Sequence, residues 1–418
     1  MPRRISAAPG MTPPAIARLI LVLIGTLLGL CLGEVGLRLF VPRYSELANA
    51  VFDEDAIRLR RRPPNTRTER IHPDSRESHA VIYNALGMRQ HRPIPVEPED
   101  GEIRIGLFGD SFTENIRLPI AYSFSEVLDY LLRQQSDQVT VLNFGVDGYG
   151  LDQSYLYYLH SPPAQHLDHV VYFFFRNDIR NLYETQLYNL DDAGRLLSLG
   201  VPSRPWWVPI ASRLALTYLA IDTGYWVLGR TGAYEPWSYQ ATRQVEAAER
   251  AWTERFYNET AARIDADFEA GTEEVDHYWE LARVILAEWA REATVRQDDF
   301  RVVLLPYLPE SRVADRFAPH RVLNLFEEFK IYGLSSTRWT FVNNPHWNEL
   351  GNLLAAVHLY RELAPTLPGT PMTHREVLRS VHAYYRAFRG WRPPMLTEPW
   401  DVPSTALEGI RRRYLALE

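Results

Sequence analysis

Apolar and polar residues follow one another along this chain in blocks. The first block, Ile16 to Phe40, holds an uncharged core from Leu19 to Gly33 (LILVLIGTLLGLCLG) and resumes its apolar character around Glu34 and Arg38. At about 1.5 Å per residue, roughly 20 residues cross a hydrocarbon layer, so the block predicts a transmembrane helix over 16–40. Arg18 and Glu34 then lie near the interfaces, with Arg38 snorkelling. A cleaved signal peptide competes with this reading. No small-x-small site follows the run, however, and the residues before Cys31 lack the small residue of a lipoprotein site. Arg3, Arg4 and Arg18 on one side face Arg43 and the arginines of 58–62 on the other, so charge alone leaves the orientation open.

Next comes a segment carrying Arg58, Arg60, Arg61, Arg62, Arg67 and Arg70, broken by Pro63 and Pro64. Its pattern predicts a basic linker over 41–80, solvated or lying against anionic headgroups. Beyond it the chain changes to short, nearly continuous apolar runs: Ile103 to Phe108, Val139 to Phe144, His169 to Phe175, Arg301 to Tyr307 and Thr340 to Val342. Such runs suit strands buried on both faces. Helical spacing separates them, as in Phe124, Val127, Leu128, Leu131 and Leu132, then Tyr278, Ala282, Ile285 and Trp289, then Leu350, Leu353, Leu354 and Val357. The alternation predicts an α/β fold, a doubly wound parallel five-stranded sheet. Its chemistry belongs in the loops leaving the carboxyl ends of the strands.

Those loops are polar. The first is Gly109-Asp110-Ser111, which puts a serine hydroxyl at a strand-to-helix turn beside helix-start amides. The second runs from Asn143 through Gly145 to Gly148, the third is Arg176-Asn177-Asp178, and the last is Asn343-Asn344-Pro345-His346-Trp347-Asn348-Glu349. Each has a plain structural reading. Asp110 is a turn residue, Asn177 and Asp178 cap a helix, Gly145 and Gly148 permit a tight turn, and His346 is a capping or core histidine. Their joint occurrence in chain order is what points to a site.

In that order the four blocks resemble those of the SGNH (GDSL-type) hydrolases, and the flanking text is similar to membrane-anchored bacterial members over about 80–185 and 275–363. The resemblance implies a flavodoxin-like hydrolase domain over 81–364. Ser111 would be the nucleophile and His346 the base, with the N–H groups of Ser111 and Gly145 and the Asn177 amide forming an oxyanion hole. It also implies an esterase, deacetylase or O-acyltransferase acting on an O-acylated carbohydrate or envelope molecule, with the domain outside the cytoplasm and the anchor in the inner membrane. Two positions depart from the pattern. The usual aspartate two or three residues before the base is Asn343 or Asn344, and the usual glycine two before Asn177 is Phe175. Another carboxylate replacing it, a Ser-His dyad, and an inactive binding or scaffold protein of the envelope therefore all stay open.

Composition removes other classes. Lys and Arg total 45 against 52 Asp and Glu, a net charge of -7, so a dedicated nucleic-acid binder is not expected. The lone Cys31 excludes an intrachain disulfide and Cys-based zinc sites, and no His/Glu constellation suggests a metal or other cofactor. Two further pieces remain. An aromatic-rich insertion at about 182–273, with Trp206, Trp207, Tyr218, Tyr225, Trp226, Trp237 and Trp252, is read as a cap over the pocket or a packed subdomain, membrane contact being the lesser reading. After prolines at 365–371 the chain is expected to form a helical extension over 365–418, its helix near His374 to Phe388.

Overall fold

The structure, a computed structural model, describes residues 13–41, 53–90, 92–175, 177–201, 273–305 and 346–387. It also describes shorter pieces at 211, 214–217, 219–220, 223, 317, 319–325, 329, 339–342 and 344. The chain divides into two compact units, 1–51 with 203–243 and 52–202 with 244–418.

In the first unit α1 runs from Pro13 to Phe40. Prolines suit its first turn, where the amide would have no helical acceptor. Ile20 to Phe40 is long and apolar enough to cross a membrane, and a signal sequence would pass the same test of length and composition. Glu34 accepts hydrogen bonds from Arg38 Nε at 2.7 Å and from the amides of Ala215 and Leu216 at 3.0 Å each. A carboxylate on an apolar helix thus has its oxygens satisfied, as its desolvation demands. Among the described residues of the insertion, Ala215 and Leu216 belong to the same unit as this helix. The insertion's seven aromatic residues named above lie outside the described residues.

The second unit begins with two antiparallel hairpins, β1 (Asp53–Asp55) with β2 (Leu59–Arg61) and β3 (Arg67–Ile71) with β4 (Ser78–Ile82). Then follow β5 (Ile103–Phe108), α2 (Ser111–Glu114), α3 (Phe124–Gln135), β6 (Val139–Asn143), α4 (Leu151–His160), β7 (His169–Phe174) and α5 (Asn177–Thr185). After a hairpin of β8 (Tyr188–Leu190) and β9 (Leu196–Ser198) come α6 (Glu273–Arg296), β10 (Asp299–Leu304), β11 (Arg321–Asn324), α7 (Glu349–Leu363) and α8 (His374–Ala387).

The central sheet has five parallel strands in the order β11-β10-β7-β5-β6, the order of flavodoxin-like doubly wound folds. Period-two alternation sends Val171 and Phe173 of β7 to one face and Val170, Tyr172 and Phe174 to the other. The first face packs on α3, α7 and α8, and the second on α4, α5 and α6. With both faces covered, the strands have no polar side to present, hence their unbroken apolar runs. The extension helix α8 belongs to this packing: Val377, Val381, Tyr384 and Tyr385 are buried, and Tyr384 Oη donates to Ala121 O at 2.8 Å.

Two expectations are corrected. The fifth strand is Arg321–Asn324, whereas Thr340 makes only an isolated bridge to Trp347. As an edge strand with partly exposed side chains, RVLN carries only two apolar residues and gives no buried-strand signal. Thr340 to Val342 cannot extend because the chain folds back, with Phe341 N donating to His346 O and Asn348 N to Trp339 O, both at 3.0 Å.

The second correction concerns the arginine-rich segment, which is docked on the domain. Arg58 lies 4.2 Å above the Tyr157 ring and Arg60 Nη2 donates to Gly148 O at 2.7 Å. Arg62 is buried in a bidentate pair with Glu114 at 2.7 and 2.8 Å. The planar fork of Arg62 matches the buried carboxylate in two parallel bonds, and the three side chains turn inward onto a carboxylate, a ring and a carbonyl. The second hairpin reaches the last polar loop as well, where Asp74 Oδ2 accepts Val342 N at 2.9 Å and His72 Nε2 lies 3.2 Å from Glu349 Oε1.

Candidate active site

The sheet order reverses between β5 and β7, and a crevice at such a switch point opens at the strands' carboxyl ends. Ser111 opens α2 directly after β5. Asp110 caps that helix, its Oδ1 accepting Phe112 N at 2.9 Å, which fixes the turn presenting the hydroxyl. His346 arrives from a loop 235 residues later in the chain, and its Nε2 lies 2.7 Å from Ser111 Oγ. The imidazole stacks on the Phe112 ring, centroids 4.5 Å apart.

Asn344 settles which ring nitrogen carries the proton. Its Oδ1 accepts the backbone N–H of His346 at 3.1 Å and faces His346 Nδ1 at 2.6 Å. Because a backbone amide can only donate, the atom it meets must be the carboxamide oxygen, so Nδ1 must donate to it too. Nε2 is left as the acceptor for the serine hydroxyl. The Asn-x-His spacing is an Asx turn, so this contact was open to sequence reasoning. Asn343, the other amide in the aspartate's place, lies outside the described residues.

An asparagine orients the ring without charge. Burial, and after it the positive Arg117, hold His346 well below its ordinary 6.5. The base therefore stays neutral in acid, and the His346 limb of kcat/KM on an ester should fall well below pH 6.5. Asn344→Asp would place a carboxylate on Nδ1, favour the imidazolium and move that limb upward. With the tautomer already correct, only the charge is missing, so turnover should rise about 10- to 100-fold. A pH profile of the two proteins from acid to neutral checks both statements, and an unmoved limb would contradict the assignment.

The expected oxyanion donors are placed differently from one another. Ser111 N sits at the start of α2. Asn177 Nδ2 donates to Asp110 Oδ2 at 3.0 Å, and since a carboxamide nitrogen has two hydrogens, this bond orients the group and leaves the second for a ligand. The Gly145 amide has a single hydrogen, and it points at Asn143 Oδ1 at 2.9 Å, away from the role expected of it. Asn143 is buried, with Nδ2 on Thr113 O and Ser125 Oγ, so its oxygen needs that donor. Gly145 is glycine for space: a Cβ there would lie 2.4 Å from Glu114 N.

Burial raises Asp110 to about 6, the bonds from Phe112 N and Asn177 working against it. Asp178 is pushed well above the usual carboxylate range by burial and next by Asp110. Its Oδ2 accepts Phe175 N at 2.8 Å, which closes the turn into α5 and matches the capping reading. Sequence reasoning did not single out Arg117, which acts electrostatically on His346, Asp110 and Asp147. Among the described residues, no cluster of three or more His, Cys, Asp or Glu side chains is placed to hold a metal ion.

No family model and no curated protein matches the chain. Among solved structures, a crystal structure of an acetyl xylan esterase aligns with 62% of this chain and 100% of its own, at 15% identity and a TM-score of 0.27.

Proposed function

We propose that this chain is a membrane-anchored serine esterase, a deacetylase or O-acyltransferase acting on an O-acylated carbohydrate or another envelope ester. The observation that carries the reading is the chain of contacts Asn344 Oδ1, His346 Nδ1, His346 Nε2 and Ser111 Oγ, at 2.6 and 2.7 Å. A serine hydroxyl gains nucleophilicity only when a neutral base accepts its proton, and the tautomer fixed by Asn344 leaves Nε2 free to do so.

In this mechanism Ser111 Oγ bonds to the ester carbonyl carbon as its proton passes to His346 Nε2. The carbonyl oxygen becomes an oxyanion facing Ser111 N–H and the second hydrogen of Asn177 Nδ2. Collapse expels the alcohol, which takes the proton from His346 and leaves an acyl-serine. Water, or a second sugar hydroxyl, then attacks with the same base, and Ser111 is released. Losing one oxyanion donor of this kind costs about 2.7–4 kcal/mol.

The test is fluorophosphonate labelling of the detergent-solubilised chain, with the modified peptide identified by mass. Label on Ser111 is expected. A non-catalytic envelope binder is the second reading, favoured by the neutral Asn344 and by a Ser111 only 8% exposed, and an unlabelled Ser111 would select it. An extracytoplasmic domain on a single inner-membrane anchor completes the proposal; a reporter fused after Glu418 that is active only in the cytoplasm would overturn that part.

A further inference from the structure

The loop after α2 is pinned with unusual completeness. Arg89 donates to Glu114 O at 3.0 Å, to Asn115 O at 2.5 Å and to Leu118 O at 2.5 Å, and His79 Nε2 lies 3.0 Å from Ile116 O. Asn115 is held in the left-handed region at φ 58°, and its amide nitrogen donates to Asn352 Oδ1. Four carbonyls around Arg117 are thus taken, and the backbone that carries this side chain is fixed. Among the described residues, Arg117 Nη1 is nevertheless buried without a hydrogen-bond partner. A guanidinium N–H withdrawn from water and left unpaired is unfavourable, so a rigid loop that keeps one in place invites an acceptor.

The surroundings say which acceptor. Arg117 follows closely on the short helix that Ser111 opens, and its charge acts on His346 of the last polar loop, on Asp110 of the first and on Asp147 of the second. Burial would raise Asp147, but Arg117 first, then Arg62, Arg60 and Arg70, bring it below its ordinary 3.8. Arg62 is balanced by Glu114, and Arg60 Nη2 meets the neutral Gly148 carbonyl. Arg117, Arg60 and Arg70 thus act together on the Asp147 carboxylate at this edge of the site, although the whole chain carries -7.

We propose that Arg117 binds an anionic group, a carboxylate or phosphate, on the alcohol portion of the ester substrate, making an acidic O-acylated molecule the preferred one. This rests on the esterase reading. Arg117 positions and selects substrate; Ser111 and His346 react with it.

The acetyl esters of 4-hydroxybenzoate, of methyl 4-hydroxybenzoate and of 4-hydroxyphenyl phosphate share an acyl group and differ in the charge on the leaving phenol. The full-length chain, Arg117→Gln and Arg117→Lys are compared on all three. Removing Arg117 also makes His346 more basic, an effect common to every ester that cancels in a ratio of kcat/KM values. In Arg117→Gln the ratio of anionic to neutral ester should fall about 10- to 100-fold, mainly through KM, and Arg117→Lys should restore part of it. The benzoate and phosphate arms separate the two anions. A ratio within about twofold of the parent's in both variants overturns the assignment. If Ser111 of the parent takes fluorophosphonate and the ratio is unchanged, this inference alone falls; if Ser111 takes none, the esterase reading falls and carries this one with it.

Discussion

Alanine at Ser111 is expected to remove about four to five orders of magnitude from kcat on an ester, and alanine at His346 nearly as much, while the double replacement should cost little more than either. The non-additivity follows from the contact. With Nε2 2.7 Å from Oγ, the two side chains perform one event, attack with proton transfer, and each is idle without the other. Steady-state rates of the three variants check this. Additive losses would mean that the two residues act separately and that the hydrogen bond between them is only structural. Residual turnover of the double variant measures what Asn177 and the Ser111 amide contribute by themselves.

The second large effect concerns stability. Arg62→Ala should cost about 3–5 kcal/mol, because it leaves the Glu114 carboxylate buried and without its countercharge. Glu114 accepts Arg62 Nε and Nη2, Tyr83 Oη at 2.8 Å and Asp147 N at 2.7 Å, so one carboxylate joins the first hairpin, the segment after β4, the β6–α4 loop and the end of the helix that starts at Ser111. Urea unfolding of the solubilised chain would show the loss as a lower midpoint. The double variant Arg62→Met/Glu114→Gln should recover part of it, since no uncompensated charge remains and the carboxamide oxygen still accepts from Asp147 N. Equal losses in the two proteins would mean that arginine packing, not the stranded charge, is responsible.

This network explains why the arginine cluster misleads a reader of sequence. Composition identifies six arginines near an apolar helix, but Glu114, Tyr157 and Gly148, the partners of Arg62, Arg58 and Arg60, lie 52 to 99 residues away and carry no local signal. The same holds for β11, whose short edge pattern is indistinguishable from a loop, and for Gly145, whose glycine reads as a donor until Asn143 is seen to hold its amide.

Periodicity and order are local properties of the chain, and they suffice for much here: an apolar helix near one end, a parallel α/β sheet, the helices between its strands, and four polar turns that include Ser111, Asn177 and His346. Tertiary structure decided the rest. Whether His346 meets Ser111, which tautomer Asn344 enforces, where the arginines point and that Arg117 Nη1 has no partner among the described residues all depend on distances between segments brought together by folding. A hydrogen bond or a buried charge is set by those distances to within fractions of an ångström, and no pattern along one strand or helix encodes them.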